Sequence, residues 1–160
     1  MDKIALRKLL LEQLRHDLSS AQQAVADSHA RATHEECQAR SQYDTFALEA
    51  SYLANGQTRR VQAMQEALLR LQALPMRPFS ADSPIDVTAL VQLQDRAGKD
   101  KWVFILPDAG GQKLKAQGQV ILTVNPEAPL AESLIGKQEG DEVEVMTGAA
   151  RTLFEIVSVR

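Results

Sequence analysis

Apolar side chains in the first half of the chain recur at helical spacing. Ile4, Leu11, Leu18, Val25 and Ala32 stand seven apart, and Leu14, Ala21 and Ser28 follow three residues after Leu11, Leu18 and Val25. This is an a/d stripe, the pattern along which two helices pack. It passes from Leu at the start to Ala and Ser near residue 30. A second stripe, Tyr43, Ala47, Ala50, Ala54, Gln57, Val61, Met64, Leu68 and Leu71, grades the other way, from small to large. Mirrored gradients predict an antiparallel coiled-coil hairpin, with helices over 3–31 and about 42–74, bulky ends together at the base and Ala-rich ends at the tip. At ~1.5 Å per residue each arm extends about 40 Å. Asn55-Gly56 falls on the outer side of the stripe, so the helix is expected to run through it at a cost of about 1 kcal/mol. Pro75 and Pro78, in LPMRPF, end the second arm.

The second half changes to period two. IDVTALVQLQD (85–95) and KWVFILP (101–107) read as strands joined by the turn RAGKD, and QVILTV (119–124) as a third strand. PLAESLIG (129–136) reads as a short helix, with Pro129 at its first position and Gly136 at its end. DEVEVMT (141–147) and TLFEIVSV (152–159) complete the set. The expected fold class is α+β: an N-terminal antiparallel coiled-coil helical hairpin, residues 1–76, followed by an antiparallel β-sheet domain with one short helix, residues 77–160.

Between the two stripes lies ATHEECQARSQYD (32–44), which has almost no aliphatic side chain to bury and carries Glu35, Glu36 and Asp44. As solvated helix-end charges these need no further role, and Thr33-His-Glu-Glu36 has the spacing of a capping box. As a functional tip they offer carboxylates. His29, His34 and Cys37 fit no familiar zinc framework, and Cys37 has no evident base to activate it. Asp108-Ala-Gly-Gly111 lacks the Gly-Lys-Ser/Thr ending of a phosphate loop and reads as a turn. Trp102 and Phe104 share one face of a strand, and core packing is the expected role.

Charge narrows the partners. The net charge of the 160 residues is −3; residues 1–78 hold ten Lys/Arg against nine Asp/Glu, and residues 79–160 hold eight against twelve. Neither half is a basic block, which argues against strong autonomous binding to duplex DNA. No apolar run approaches the ~18 residues of a membrane span. The start, MDKIALRKLLLEQLRHDL, is broken by Glu12, Arg15, His16 and Asp17 and is not a secretory signal. A single cysteine allows no internal disulfide. A soluble, cytoplasmic protein is expected, with no membrane partner and no small-molecule substrate.

The stretch APLAESLIGKQEGDEVEV resembles the signature of the GreA/GreB transcript-cleavage family, in which a Ser-Pro-Leu helix start leads to Leu-[Leu/Ile]-Gly-Lys, Gly-Asp and an alternating strand. Pro129, Leu130, Leu134, Ile135, Gly136, Lys137, Gly140 and Asp141 match, Ala128 stands for the usual Ser, and FEIVSV matches the closing strand. The resemblance implies an FKBP-like second domain and a hairpin whose tip enters the secondary channel of RNA polymerase. It also implies polymerase-interface roles for Pro129, Leu130, Gly136 and Asp141, and no cofactor or active site of the chain's own. Tip carboxylates in that family help hold magnesium at the polymerase active site, where backtracked RNA is cut. Here, counting back from Tyr43, Glu36 falls on the family's tip Asp, but Ala39 falls on its key Glu and Arg40 on its Asn. One of two carboxylates is thus absent from that register, and weak transcript cleavage or none is expected. The same FKBP resemblance does not extend to prolyl isomerase activity, because this half has few aromatic residues to line a pocket. The competing reading is a non-catalytic helical interaction module with another partner, which leaves the C-terminal signature unexplained.

Overall fold

The computed structural model describes the backbone of residues 1–36, 45–147 and 150–160, and their side chains apart from 29, 31–36, 45–54, 147 and 150. Two long helices, α1 (Lys3–Glu36) and α2 (Thr45–Ala73), precede six strands and one short helix. The strands are β1 (Leu90–Asp95), β2 (Asp100–Ile105), β3 (Lys113–Ala116), β4 (Gln119–Val124), β5 (Glu142–Thr147) and β6 (Ala150–Val159). Helix α3 (Pro129–Leu134) lies between β4 and β5. Two compact units result: Met1–Leu10 with Arg70–Arg160, and Leu11–Leu69.

In the second unit the heptad reading holds where side chains are described. Leu11 and Leu68 are buried; Leu14, Leu18, Ala21, Val25 and Ser28 on α1, and Gln57, Val61 and Met64 on α2, are half-buried. Helix α2 continues unbroken through Asn55 and Gly56, both exposed. Ile4 departs from the stripe. It is 61 % exposed, and the burial at the start of α1 passes to Leu6 and Leu10. Ala32 and the members of the second stripe from Tyr43 to Ala54 fall outside the described side chains. The Arg7 guanidinium donates to the Leu74 carbonyl at 2.7 Å. The start of α1 therefore lies beside the end of α2, and the two run antiparallel.

The first unit is built on one sheet of order β3-β4-β2-β1-β6-β5. Four of its neighbour pairs are antiparallel, but β2 and β4 are parallel, Trp102 opposite Ile121. The sheet is thus mixed, a correction to the all-antiparallel expectation. The cause is β3, a strand absent from the sequence reading. It takes the outer edge, and Gln117 and Gly118, at φ 51° and 75°, turn the chain straight back into β4. Two consecutive left-handed residues are the geometry of a tight hairpin turn. KLKA is short and carries lysines at alternate positions, so it offers little strand signal.

The expected strand 85–95 is also shortened, to 90–95. Asp86 takes the Val87 N–H on its carboxylate at 2.7 Å and the Ala89 N–H on its carbonyl at 3.0 Å, and Thr88 is left-handed at φ 73°. These contacts make a turn where alternation alone suggests a strand.

Strand alternation gives the sheet two apolar faces. Val91, Leu93, Val103, Ile105, Val143, Val145, Phe154 and Ile156 form one core with Ala131 and Leu134 of α3. Leu90, Trp102, Phe104 and Ile121 point the other way and are also buried. Leu6, Leu10 and Leu71, from the helix bases of the same unit, are fully buried with them. Trp102 and Phe104 therefore have the packing role expected of them. Polar ties pin the bases in place. Arg70 holds Asp108 through two hydrogen bonds of 3.0 and 2.8 Å, and Lys3 Nζ reaches the carbonyls of Arg77 and Thr88.

Candidate functional site

The segment 128–141 carries the C-terminal candidates, and most of them build the fold locally. Ala128 is the N-cap of α3, extended at φ −72°, ψ 139°, with no side-chain cap hydrogen bond. Pro129 follows, where its fixed φ suits a first helical turn and its missing N–H is no loss. It is exposed, whereas Leu130 is half-buried against the core.

Gly136 ends the helix at φ 84°, a left-handed position that favours glycine. Its N–H donates to the Ile85 carbonyl, and the Ile85 N–H donates to the Lys137 carbonyl, both at 2.8 Å. The Gln138 side chain adds a bond to the Asp82 carbonyl at 2.7 Å. Together these tie the α3 exit to the 82–85 segment. Asp141 takes the Gln138 N–H on its carboxylate at 2.8 Å, and its carbonyl takes the Ile156 N–H at 2.9 Å. Asp141 thus closes the turn that starts β5.

Pro129 and Asp141 remain exposed on this ridge, as does Ile135 at 38 %. Ile135 matches the signature but is not among the interface candidates Pro129, Leu130, Gly136 and Asp141. The signal was available: in PLAESLI the buried positions are Ala131 and Leu134, which leaves Ile135 one position past the apolar face.

In the other unit, Glu35 and Glu36 are the last two residues of α1 as described. They occupy consecutive helical positions, about 100° apart around the axis. Asp44 lies outside the described residues, as do Cys37, Ala39 and Arg40, and the side chains of His29 and His34 are not described. Among the described residues no group of three or more His, Cys, Asp or Glu side chains is arranged to hold a metal. No described helix is long and apolar enough to cross a membrane.

A second polar cluster was missed in the sequence. Lys3 Nζ sits 4.7 Å from the centroid of the Phe79 ring, and the Arg77 guanidinium lies 5.5 Å from the same ring. Arg77 also pairs with Asp86 at 2.5 Å, and its N–H donates to the Thr88 hydroxyl at 3.2 Å. Burial, reinforced by the Arg77 charge, pushes the Lys3 ammonium down to about 8. The Val87 N–H, and then Arg77, hold the Asp86 carboxyl below its ordinary value. Only proximity in three dimensions joins residues 3, 77, 79, 86 and 88, so no local pattern announces them.

Residues 80–160 match the family described as transcription elongation factor, GreA/GreB, C-terminal. The chain belongs to the GreA/GreB family. Relatives place the likeness over the whole length: it is 28 % identical over 166 residues to the transcription elongation factor GreA of Bartonella tribocorum, covering 100 % of this chain and 99 % of that one. Over 95 residues, 59 % of each chain, it is 51 % identical to a GreA of Cereibacter sphaeroides. Among solved structures, the GreA factor homolog 1 protein of Thermus thermophilus is similar at 20 % identity and a TM-score of 0.42, covering 94 % of both chains. As a GreA/GreB member the chain is a transcription elongation factor, and the reading as an unrelated helical interaction module falls away.

Proposed function

We propose that this GreA/GreB chain is an accessory factor of RNA polymerase, with the sheet unit supplying the main grip and the hairpin tip acting in the secondary channel. The observation that carries the reading is the family match over 80–160 joined to a preceding pair of long antiparallel helices. Pro129 and Asp141, together with Leu130 and Gly136, which shape the ridge, are the proposed grip. Any cleavage chemistry belongs to the polymerase, so the chain needs no active site and no cofactor of its own.

The proposed action at the tip rests on Glu36. A carboxylate is a fitting donor for a hard ion such as Mg²⁺, which takes oxygen ligands. When held at the polymerase active site, the ion would stabilise the attacking and leaving oxygens of RNA hydrolysis. Glu36 would add one ligand oxygen. A second carboxylate one turn away would share an ion, but position 39 is Ala, and Arg40 brings a fixed positive charge. Glu35 is a poor substitute on a helix, being turned about 100° from Glu36. The proposed activity is therefore binding and regulation with weak cleavage.

Pull-down with core RNA polymerase tests the partner, and retention is expected. Cleavage assays on stalled elongation complexes test the tip. Ala39→Glu should gain cleavage over the natural sequence, and Glu36→Ala should remove what little there is. Robust cleavage that survives simultaneous replacement of Glu35, Glu36 and Asp44 would rule out these carboxylates.

A further inference from the structure

The sheet ends in two edges of different character. The β3 edge is four residues long and carries exposed Lys113 and Lys115. Short, lysine-bearing edges resist pairing with another chain. The β5 edge is six residues long, without Pro, Gly or a bulge in its pairing to β6. Among the described residues, 142–146 make no backbone hydrogen bond outside the β5–β6 ladder. One side of β5 therefore presents an open row of donors and acceptors.

The side chains beside that row restrict what can pair with it. Val143 and Val145 point into the core, while Glu142, Glu144 and Met146 alternate on the exposed face, Met146 at 58 %. Glu142 stands opposite Glu155 of β6. Like charges directly opposed in a sheet destabilise it, and neither Glu has a cationic partner among the described residues. Arg151 approaches Glu144 at 3.6 Å, but both groups are more than half exposed, so the pair neutralises little.

We infer that the outer edge of β5 receives an extended segment of another protein as a seventh strand. That segment carries Lys or Arg at two alternate positions and an apolar side chain two further along. Backbone pairing supplies the attachment, and the alternating side chains supply the choice of partner. The two cations face Glu142 and Glu144, relieving the repulsion with Glu155, and the apolar residue covers Met146. An acidic segment is rejected by the same row. The inference stands apart from the polymerase reading, since it rests on the edge strand and not on the tip or the α3 ridge.

The test uses the full chain and a fluorescein-labelled peptide containing Lys-Val-Lys-Val-Leu, with anisotropy reporting affinity and amide chemical shifts reporting location. Shifts are expected in 142–147 and 151–155, with binding weakened by salt. Glu142→Lys with Glu144→Lys should weaken binding roughly tenfold or more and should admit the Glu-Val-Glu-Val-Leu peptide, a gain that misfolding cannot produce. No binding at millimolar peptide, indifference to the charge swap, or shifts elsewhere would overturn the proposal. So would self-association of the free chain that Lys113→Glu with Lys115→Glu abolishes, because the edge would then belong to β3 of a second copy.

Discussion

Lys3 shows how a residue can be decisive without a sequence signature. Its ammonium is half-buried between two carbonyls and an aromatic face, with Arg77 nearby. The folded pKa, about 8, lies below the ordinary 10.5. Between those values the unfolded chain holds the proton that the folded chain has released, so stability rises with pH through that window and falls as pH drops towards 8. Urea midpoints measured from neutral pH to about pH 10.5 should therefore climb more in the natural protein than in Lys3→Met. Parallel curves would show that Lys3 does not titrate in this way. Ala128 makes a simpler case. It occupies an extended N-cap position with no side-chain oxygen, so Ala128→Ser should stabilise the sheet unit by about 1 kcal/mol, read as a higher urea midpoint. The need for a cap there was legible in the sequence, because Pro129 fixes the helix start. The Lys3 cluster was not, because its members are contributed by a helix, a linker and a turn.

Elements were legible in proportion to the length and regularity of their patterns. The heptad stripes predicted both arms of the hairpin, and α3 announced itself through Pro129 and Gly136. Failures came where a local contact outweighed periodicity. IDVTA alternates like a strand, yet Asp86 and Thr88 fold it into a turn. KLKA is a strand because Gln117-Gly118 turns it onto β4, and four residues hold too little pattern to say so. The parallel β2–β4 pairing follows from that missed strand. The segment 32–44 was legible only as a loss of apolar residues, and a stretch without a packing period gives no pattern from which to read a structure. Gly56 gives a test at this scale. It lies in unbroken helix, is exposed, and an added Cβ would meet nothing within 4 Å. Gly56→Ala should thus stabilise α2 by roughly 1 kcal/mol, visible as a higher melting temperature in the helical circular dichroism signal. An unchanged or lower value would mean that the position serves something other than helix continuity.

At the scale of the molecule, the helix bases belong with the sheet. Residues 1–10 and 70–160 form one unit, in which Leu6, Leu10 and Leu71 are buried with the second sheet face, Leu90, Trp102, Phe104 and Ile121. Two truncations follow different fates. A fragment of residues 77–160 keeps the α3-side core but loses the leucines, the Arg70–Asp108 tie and the Lys3 cluster. Each exposed large apolar side chain forfeits about 1.5–3 kcal/mol of burial, a loss that a domain of this size, stable by some 5–15 kcal/mol, cannot absorb several times over. That fragment should bind a hydrophobic dye, aggregate, and lose the low Trp102 exposure of the full chain to fluorescence quenchers. Replacing residues 28–45 by a short Gly/Ser loop removes the tip and leaves both bases intact. This variant should remain folded, with Trp102 still protected, and should retain polymerase binding while losing its effect on elongation. A well-folded 77–160 fragment with Trp102 shielded would show that the sheet needs no cover from the helices. A tip deletion that kept its effect on elongation would remove the action from the hairpin and place it on the sheet.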